Sequence, residues 1–105
     1  MIKVSYGYKN RTILLAMRGH ATVEKGHQNL VCAGASTLFG TMECYVEAFR
    51  NDCERIDIQD DSGNGLIVVT AKDDKTYGEM VRCLLFVITG LRLLSSQGQV
   101  EILDI

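Results

Sequence analysis

The chain of 105 residues has no proline, no tryptophan and only two histidines. It also has no uninterrupted apolar run near the roughly 18 residues that a membrane-spanning helix needs. Its first residues do not place a basic segment before an apolar one, as a secretory signal does. We therefore expect no membrane span and a cytoplasmic protein. Two histidines, beside four cysteines without a Cys-x-x-Cys pair, form no zinc-binding pattern, so neither a metal nor another cofactor is expected.

The chain also has no large excess of charge of one sign, with 11 basic and 13 acidic residues and a net charge of −2. Since no basic stripe runs through the sequence, direct binding of nucleic acid is not expected. Hydrophobic residues make up 47% of the chain, which suits one domain over residues 1–105 with a core of its own. A cytoplasmic domain with such a core does not require disulfides.

Hydrophobic periodicity predicts the element order ββαββαβ. Period-two alternation indicates strands, and apolar residues at helical spacing indicate helices. The predicted elements are strands over 2–8 and 12–18, a helix over about 32–50, strands over 56–58 and 66–71, a helix over about 74–94, and a strand at 100–105. Two hairpins and two amphipathic helices predict an α+β fold, with an antiparallel or mixed sheet and both helices packed on one face.

The second helix has two possible starts and an unusually wide apolar surface. Asp73 or Asp74 could cap it, or Thr76-x-x-Glu79 could form a capping box slightly later. Its apolar arc over residues 80–94 is too wide for a lone surface helix. We therefore expect this helix to be central to the core or shared with a partner chain.

The segment from Gly19 to Ser36 contains the residues that require a chemical explanation. His20 ends a predicted strand, and Cys32 lies in the first turn of a predicted helix, which Asn29 could cap. Residues 21–29 have almost nothing to bury, so we expect a mobile surface loop. At roughly 3.3 Å per extended residue, this loop is long enough to let a base and a nucleophile meet.

Helix-start N–H groups and the partial positive charge there favour a cysteine thiolate. Cys32 could therefore be a nucleophile with His20 as its base, and backbone N–H groups near Cys32 and Ala33 could receive an oxyanion. The alternative is that Cys32 is a small buried hydrophobic residue and that His20 bonds to backbone at a strand end. The other cysteines are predicted to be buried, inert thiols: Cys44, Cys53 and Cys83.

The motif Gly19-His20-Ala21, followed by Val31-Cys32-Ala33 and Ser36, resembles the Prp family of ribosomal-processing cysteine proteases. Asn29 departs from it, because the family usually has aspartate there, and His27 stands where glycine is common. The resemblance implies a homodimeric cysteine endopeptidase that removes a short N-terminal extension from a large-subunit ribosomal protein. In that case Cys32 is the nucleophile and His20 the base.

Gly19, Asn29, Ala33 and Ser36 are the predicted supporting or substrate-binding residues, and of these Ser36 matches the family's serine. Asn29 could orient His20 or only cap the helix. The small residues from Ala33 to Ser36 could admit a substrate backbone, or could pack tightly against a strand. Two other functions stay open: a phage-type protease that processes virion or scaffold proteins, and a non-catalytic ribosome-associated dimeric binding module.

Overall fold

The structure is a computed structural model that describes residues 1–19, 30–61, 63–96 and 98–105. These ranges contain five strands and two long helices in the predicted order. The elements are β1 Ile2–Lys9, β2 Thr12–Arg18, α1 Leu30–Ala48, β3 Cys53–Asp61, β4 Asn64–Ala71, α2 Asp74–Ser95 and β5 Val100–Asp104, with a short 3₁₀ turn at Arg50–Asp52. The predicted α+β class is confirmed.

The strands form one sheet in the order β3-β4-β2-β1-β5. Three neighbouring pairs are antiparallel, whereas β1 and β5 are parallel, so the sheet is mixed. The hairpins β1–β2 and β3–β4 join through their second strands, with Arg18 opposite Asn64. This junction brings the end of β2 beside the turn between β3 and β4.

One face of the sheet is buried and carries the core. Alternate residues point to this face because side chains in a strand alternate between faces, and Val4, Leu15 and Ile67 are almost completely buried. They share one hydrophobic cluster with Met42 of α1 and Leu84 of α2. Both helices therefore pack on the same face, as predicted.

The two helices contact each other through small residues. A Cβ atom on Gly34 of α1 would lie 3.1 Å from Leu94 Cδ1 of α2, and one on Gly90 would lie 2.9 Å from Leu38 Cδ2. Such short distances leave room only for glycine unless the leucines move. The first turns of α1 are thus held tightly against the last turns of α2.

The start of α2 distinguishes between the two predicted caps. The carboxylate of Asp73 accepts a hydrogen bond from the backbone N–H of Thr76 at 2.7 Å, and this hydrogen bond lowers the pKa of Asp73. Asp73 is therefore the N-cap, which satisfies one of the free N–H groups of the first turn. No helix in the described ranges is both long and apolar enough to cross a membrane.

Candidate active site

Cys32 is the third residue of α1 and is half-buried at the edge of the core. The first turn of a helix has N–H groups without intrahelical acceptors and carries a partial positive charge. The prediction that Cys32 lies in a first turn is confirmed, although the helix begins two residues earlier than expected. Cys32 therefore lies at the positive end of α1.

The side chain of Cys32 lines a cleft of about 130 Å³ between α1 and one end of the sheet. Three walls of the cleft come from the described residues. They are the end of β2 (Met17, Arg18, Gly19) with Ile2 of β1, the inner side of α1 (Cys32, Ala35, Ser36, Phe39), and the β3–β4 turn (Asp60, Asp61, Gly63, Asn64, Gly65). A cleft of this size can hold one side chain of a peptide beside the cysteine.

Gly19 fixes the chain where β2 ends at the cleft. Its φ is +93°, a conformation that residues with a Cβ rarely adopt, and a Cβ atom there would lie 2.4 Å from the carbonyl oxygen of Met1. Its N–H donates a 2.8 Å hydrogen bond to the carbonyl oxygen of Gly63 in the β3–β4 turn. Gly19 therefore ties two walls of the cleft together, and only glycine fits the position without strain.

The predicted site residues fall into three groups. Gly19, Cys32 and Ser36 line the same cleft. Ala33 is exposed, and the described residues that line the cleft do not include it. The remaining predictions concern residues outside the described ranges: His20, His27, Asn29 and the loop over 21–29.

The small residues that follow Cys32 have different environments. Ala35 is completely buried in the core and Ser36 is exposed beside the cleft. Gly34 packs against Leu94, so the tight contact is with helix α2 and not with a strand. Of these residues, Ser36 is the one with a polar side chain at the cleft.

The other three cysteines are free thiols in different surroundings. Cys53 is buried and donates a 3.2 Å hydrogen bond to the carbonyl oxygen of Phe49, and burial raises its pKa. Cys83 is half-buried, and burial raises its pKa as well. The prediction that all three are buried is wrong for Cys44, which is exposed because it lies on the outer side of α1. Solvent access alone therefore does not distinguish Cys32.

Two parts of the cleft were not predicted as site residues. The turn over 60–65 was interpreted only as a hairpin connection, and its proximity to Cys32 depends on the pairing of β2 with β4. Phe39 was not assigned from the sequence; it is buried in the core, and its ring also forms the cleft floor over Gly65. Within the described ranges, no group of three histidine, cysteine or acidic side chains could hold a metal ion.

Comparisons with known proteins show what the chain is similar to. The family model described as Cysteine protease Prp matches residues 1–101. No curated protein sequence matches the chain significantly. Among solved structures, the essential ribosomal processing protease Prp from Staphylococcus aureus with a covalently linked product peptide is 22% identical, with complete coverage of both chains and a TM-score of 0.70. Its complex with a substrate peptide gives 21% identity, complete coverage of both chains and a TM-score of 0.68. SMU.848 from Streptococcus mutans is 17% identical over 100% of this chain and 96% of its own, with a TM-score of 0.64.

Proposed function

The chain belongs to the Prp family of cysteine proteases, and from this premise we propose that Cys32 and His20 cleave a short N-terminal extension from a large-subunit ribosomal protein. The observation that carries the assignment is the position of Cys32, at the positive end of α1 and at the wall of a cleft that can hold one side chain of a peptide. Gly19 lines the same cleft and His20 follows it directly in the chain. The base is thereby attached to the cleft wall by one peptide bond.

The proposed reaction begins with transfer of the Cys32 thiol proton to the His20 imidazole. The sulfur then attacks the carbonyl carbon of the scissile peptide bond, and its carbonyl oxygen becomes an oxyanion. The backbone N–H groups of Cys32 and Ala33, in the first turn of α1, are the proposed oxyanion donors.

Collapse of this intermediate breaks the carbon–nitrogen bond, and His20 returns its proton to the leaving amine. Water, deprotonated by His20, then hydrolyses the thioester. This second step releases the other product and restores the cysteine thiol. Each step uses only the two side chains, backbone donors and water.

The remaining site residues have supporting roles in this proposal. Ser36 lies one helical turn beyond Cys32 at the cleft and is placed to bind the substrate backbone. Asn29 precedes α1 directly, where it would cap the helix or orient His20. An amide can do either, whereas the aspartate usual in the family would also add a negative charge near the imidazole.

A protein substrate is supported by the two Staphylococcus aureus structures, one with a product peptide and one with a substrate peptide. We place the reaction in the cytoplasm, where ribosomal proteins are made. We also propose a homodimer, because the outer side of α2 leaves Phe86 77% and Leu93 74% exposed. Large apolar groups at this exposure are typical of a surface that a partner covers.

Cleavage of a synthetic peptide that carries the N-terminal extension of the ribosomal protein tests the proposed function. Cys32→Ala and His20→Ala should each reduce cleavage to background, since each removes a group that forms or transfers a bond. Cys44→Ala is the matched control, because it removes an exposed thiol from the same helix and should leave the rate unchanged. Cleavage by the Cys32→Ala protein at the wild-type rate would refute the assignment.

A further inference from the structure

Glu43 is an acidic residue of α1 that the proposed reaction does not use. Its Oε1 atom is buried and has no hydrogen-bond partner among the described residues. An ionised carboxylate oxygen in such a place loses its hydration without compensation, which is unfavourable. The position therefore favours the protonated acid or requires a nearby donor.

The contacts of α1 place Glu43 beside the β3–β4 turn. Phe39, one helical turn earlier, covers Gly65, where an added Cβ atom would lie 2.6 Å from the ring. Gly65 pairs with Asp60 across the hairpin, so the next turn of α1 faces the β3 side of this pair. The carboxyl groups of Glu43 and Asp60 lie close enough for a hydrogen bond between them to contribute to the raised pKa of Glu43. Because two carboxylates repel, this contact requires one shared proton.

Among the described residues, the charged groups that act on Glu43 do not include a cation. The ionisable groups that act on it are Asp60 of β3 and Glu47 of its own helix, and both are acidic. Glu47 is itself paired with Arg50 by two hydrogen bonds of 2.6 and 2.8 Å. Burial first, and then the Asp60 carboxyl, raise the pKa of Glu43 to about 7.

Asp60 connects this pair to the candidate active site. It lines the cleft with Asp61 and Gly63, on the wall that the turn forms beside Cys32. Gly63 in turn accepts the hydrogen bond from Gly19 that joins the turn to the end of β2. A change in the contact between Glu43 and Asp60 would therefore displace a wall of the cleft.

This inference rests on the proposed function: we propose that Glu43 is a positioning residue whose protonated carboxyl donates a hydrogen bond to Asp60 and holds the β3–β4 wall of the cleft against α1. Release of this proton to solvent converts the contact into a repulsion between two carboxylates. The wall then loosens, and substrate binds more weakly. Glu43 does not touch the reacting atoms and acts only through Asp60.

Side-chain ¹³C NMR of the glutamate carboxyl groups tests the shared proton without any substrate. The Glu43 carboxyl should titrate with a midpoint near its raised pKa of about 7 in the wild-type protein. In the Asp60→Asn variant the midpoint should fall by about one unit or more, because the neighbouring negative charge is gone. An unchanged midpoint in Asp60→Asn would overturn the proposed pair.

Folding stability provides a second readout, and its sign follows from the raised pKa. Between the ordinary pKa of 4.5 and about 7 the folded protein holds a proton that the unfolded chain has released. The unfolding free energy should therefore decrease with rising pH over this window and level off above it. Glu43→Gln keeps a hydrogen-bond donor without a titrating proton, so this decrease should disappear. The same decrease in Glu43→Gln would contradict the proposal.

Peptide cleavage separates this inference from the proposed function. The KM of the wild-type enzyme should rise about tenfold between about pH 6 and about pH 8, a factor equivalent to about 1.4 kcal/mol. In Glu43→Gln the KM should stay at its low value across this range, while kcat follows the wild type. Glu54→Gln, a control that removes an exposed glutamate from the far end of β3, should keep the wild-type profile. A wild-type enzyme that cleaves normally with a flat KM refutes the role of Glu43 alone, whereas a wild-type protein that does not cleave refutes the proposed function.

Discussion

Gly19 combines a backbone requirement with a position at the site. Its positive φ and its short distance to the Met1 carbonyl exclude a side chain, and its N–H bonds to Gly63 across the cleft. The next residue is the proposed base, so the conformation of Gly19 sets the direction in which the chain leaves the sheet toward His20. A glycine before this histidine is therefore a structural necessity as well as part of a motif.

Gly19→Ala should destabilise the protein by about 2 kcal/mol or more, since it adds both left-handed strain and a backbone clash. Gly98 provides a matched control: its φ is also positive, at +77°, but a Cβ atom there would meet nothing within 4 Å. Gly98→Ala should therefore cost only about 1 kcal/mol. Urea unfolding of both variants measures the difference in their unfolding free energies. Equal losses of unfolding free energy would show that the backbone near Gly19 relieves the clash at no cost.

At the level of single residues, some features could be predicted from the sequence and others could not. The helix-start position of Cys32 followed from helical periodicity, and the structure confirms it. Cys44 was wrongly predicted to be buried, because cysteine is among the residue types most often buried in proteins. It is exposed because it lies on the outer face of α1. Nothing in the sequence indicated that Glu43 has a buried carboxyl oxygen, because a single glutamate in an amphipathic helix normally lies in solvent.

At the element scale, local patterns predicted most of the architecture. The turn between β1 and β2 has Asn10 and Arg11 at positive φ, as two-residue hairpins require, and the polar segment there was correctly predicted as a turn. The Asp73 cap was one of two predicted alternatives. The strand alternation also identified the buried face of β1, although Tyr8 near its end is exposed.

Local sequence patterns did not predict the order of the strands in the sheet. Whether β2 pairs with β4, and whether β5 runs parallel to β1, depends on tertiary packing between segments far apart in sequence. The cleft is a product of this order, because the β2–β4 pairing places the turn over 60–65 beside the start of α1. The candidate nucleophile could therefore be predicted from sequence, whereas the opposite wall could not.

At the scale of the whole molecule, the apolar arc of α2 divides into two parts. Its inner part is buried in the core and includes Met80, Leu84, Val87, Ile88 and Leu91. Its outer part leaves Phe86 and Leu93 exposed, and Leu30 of α1 is 71% exposed as well. Most of the predicted arc therefore packs in the core, and only its outer residues are available to contact a partner chain.

If these outer residues form the proposed homodimer, Phe86→Lys should shift the protein from dimer to monomer, because a charge would be buried in an apolar contact. Leu103→Lys is the control, since Leu103 is 58% exposed on β5, away from the helices. Light scattering over a concentration series measures both variants. A wild-type protein that is monomeric at every concentration would exclude the dimer.

The role of Cys32 as a nucleophile activated by His20 is tested most directly by the rate of iodoacetamide labelling at each cysteine, measured by peptide mass mapping. At neutral pH, Cys32 should react before Cys53 and Cys83, whose pKa values burial raises, and also before the exposed Cys44. His20→Ala should slow labelling of Cys32 by about tenfold, the factor that about 1.4 kcal/mol of lost ion-pair stabilisation gives, and should leave Cys44 unchanged. Equal rates at Cys32 and Cys44 in the wild-type protein, or a Cys32 rate that His20→Ala does not alter, would contradict the account.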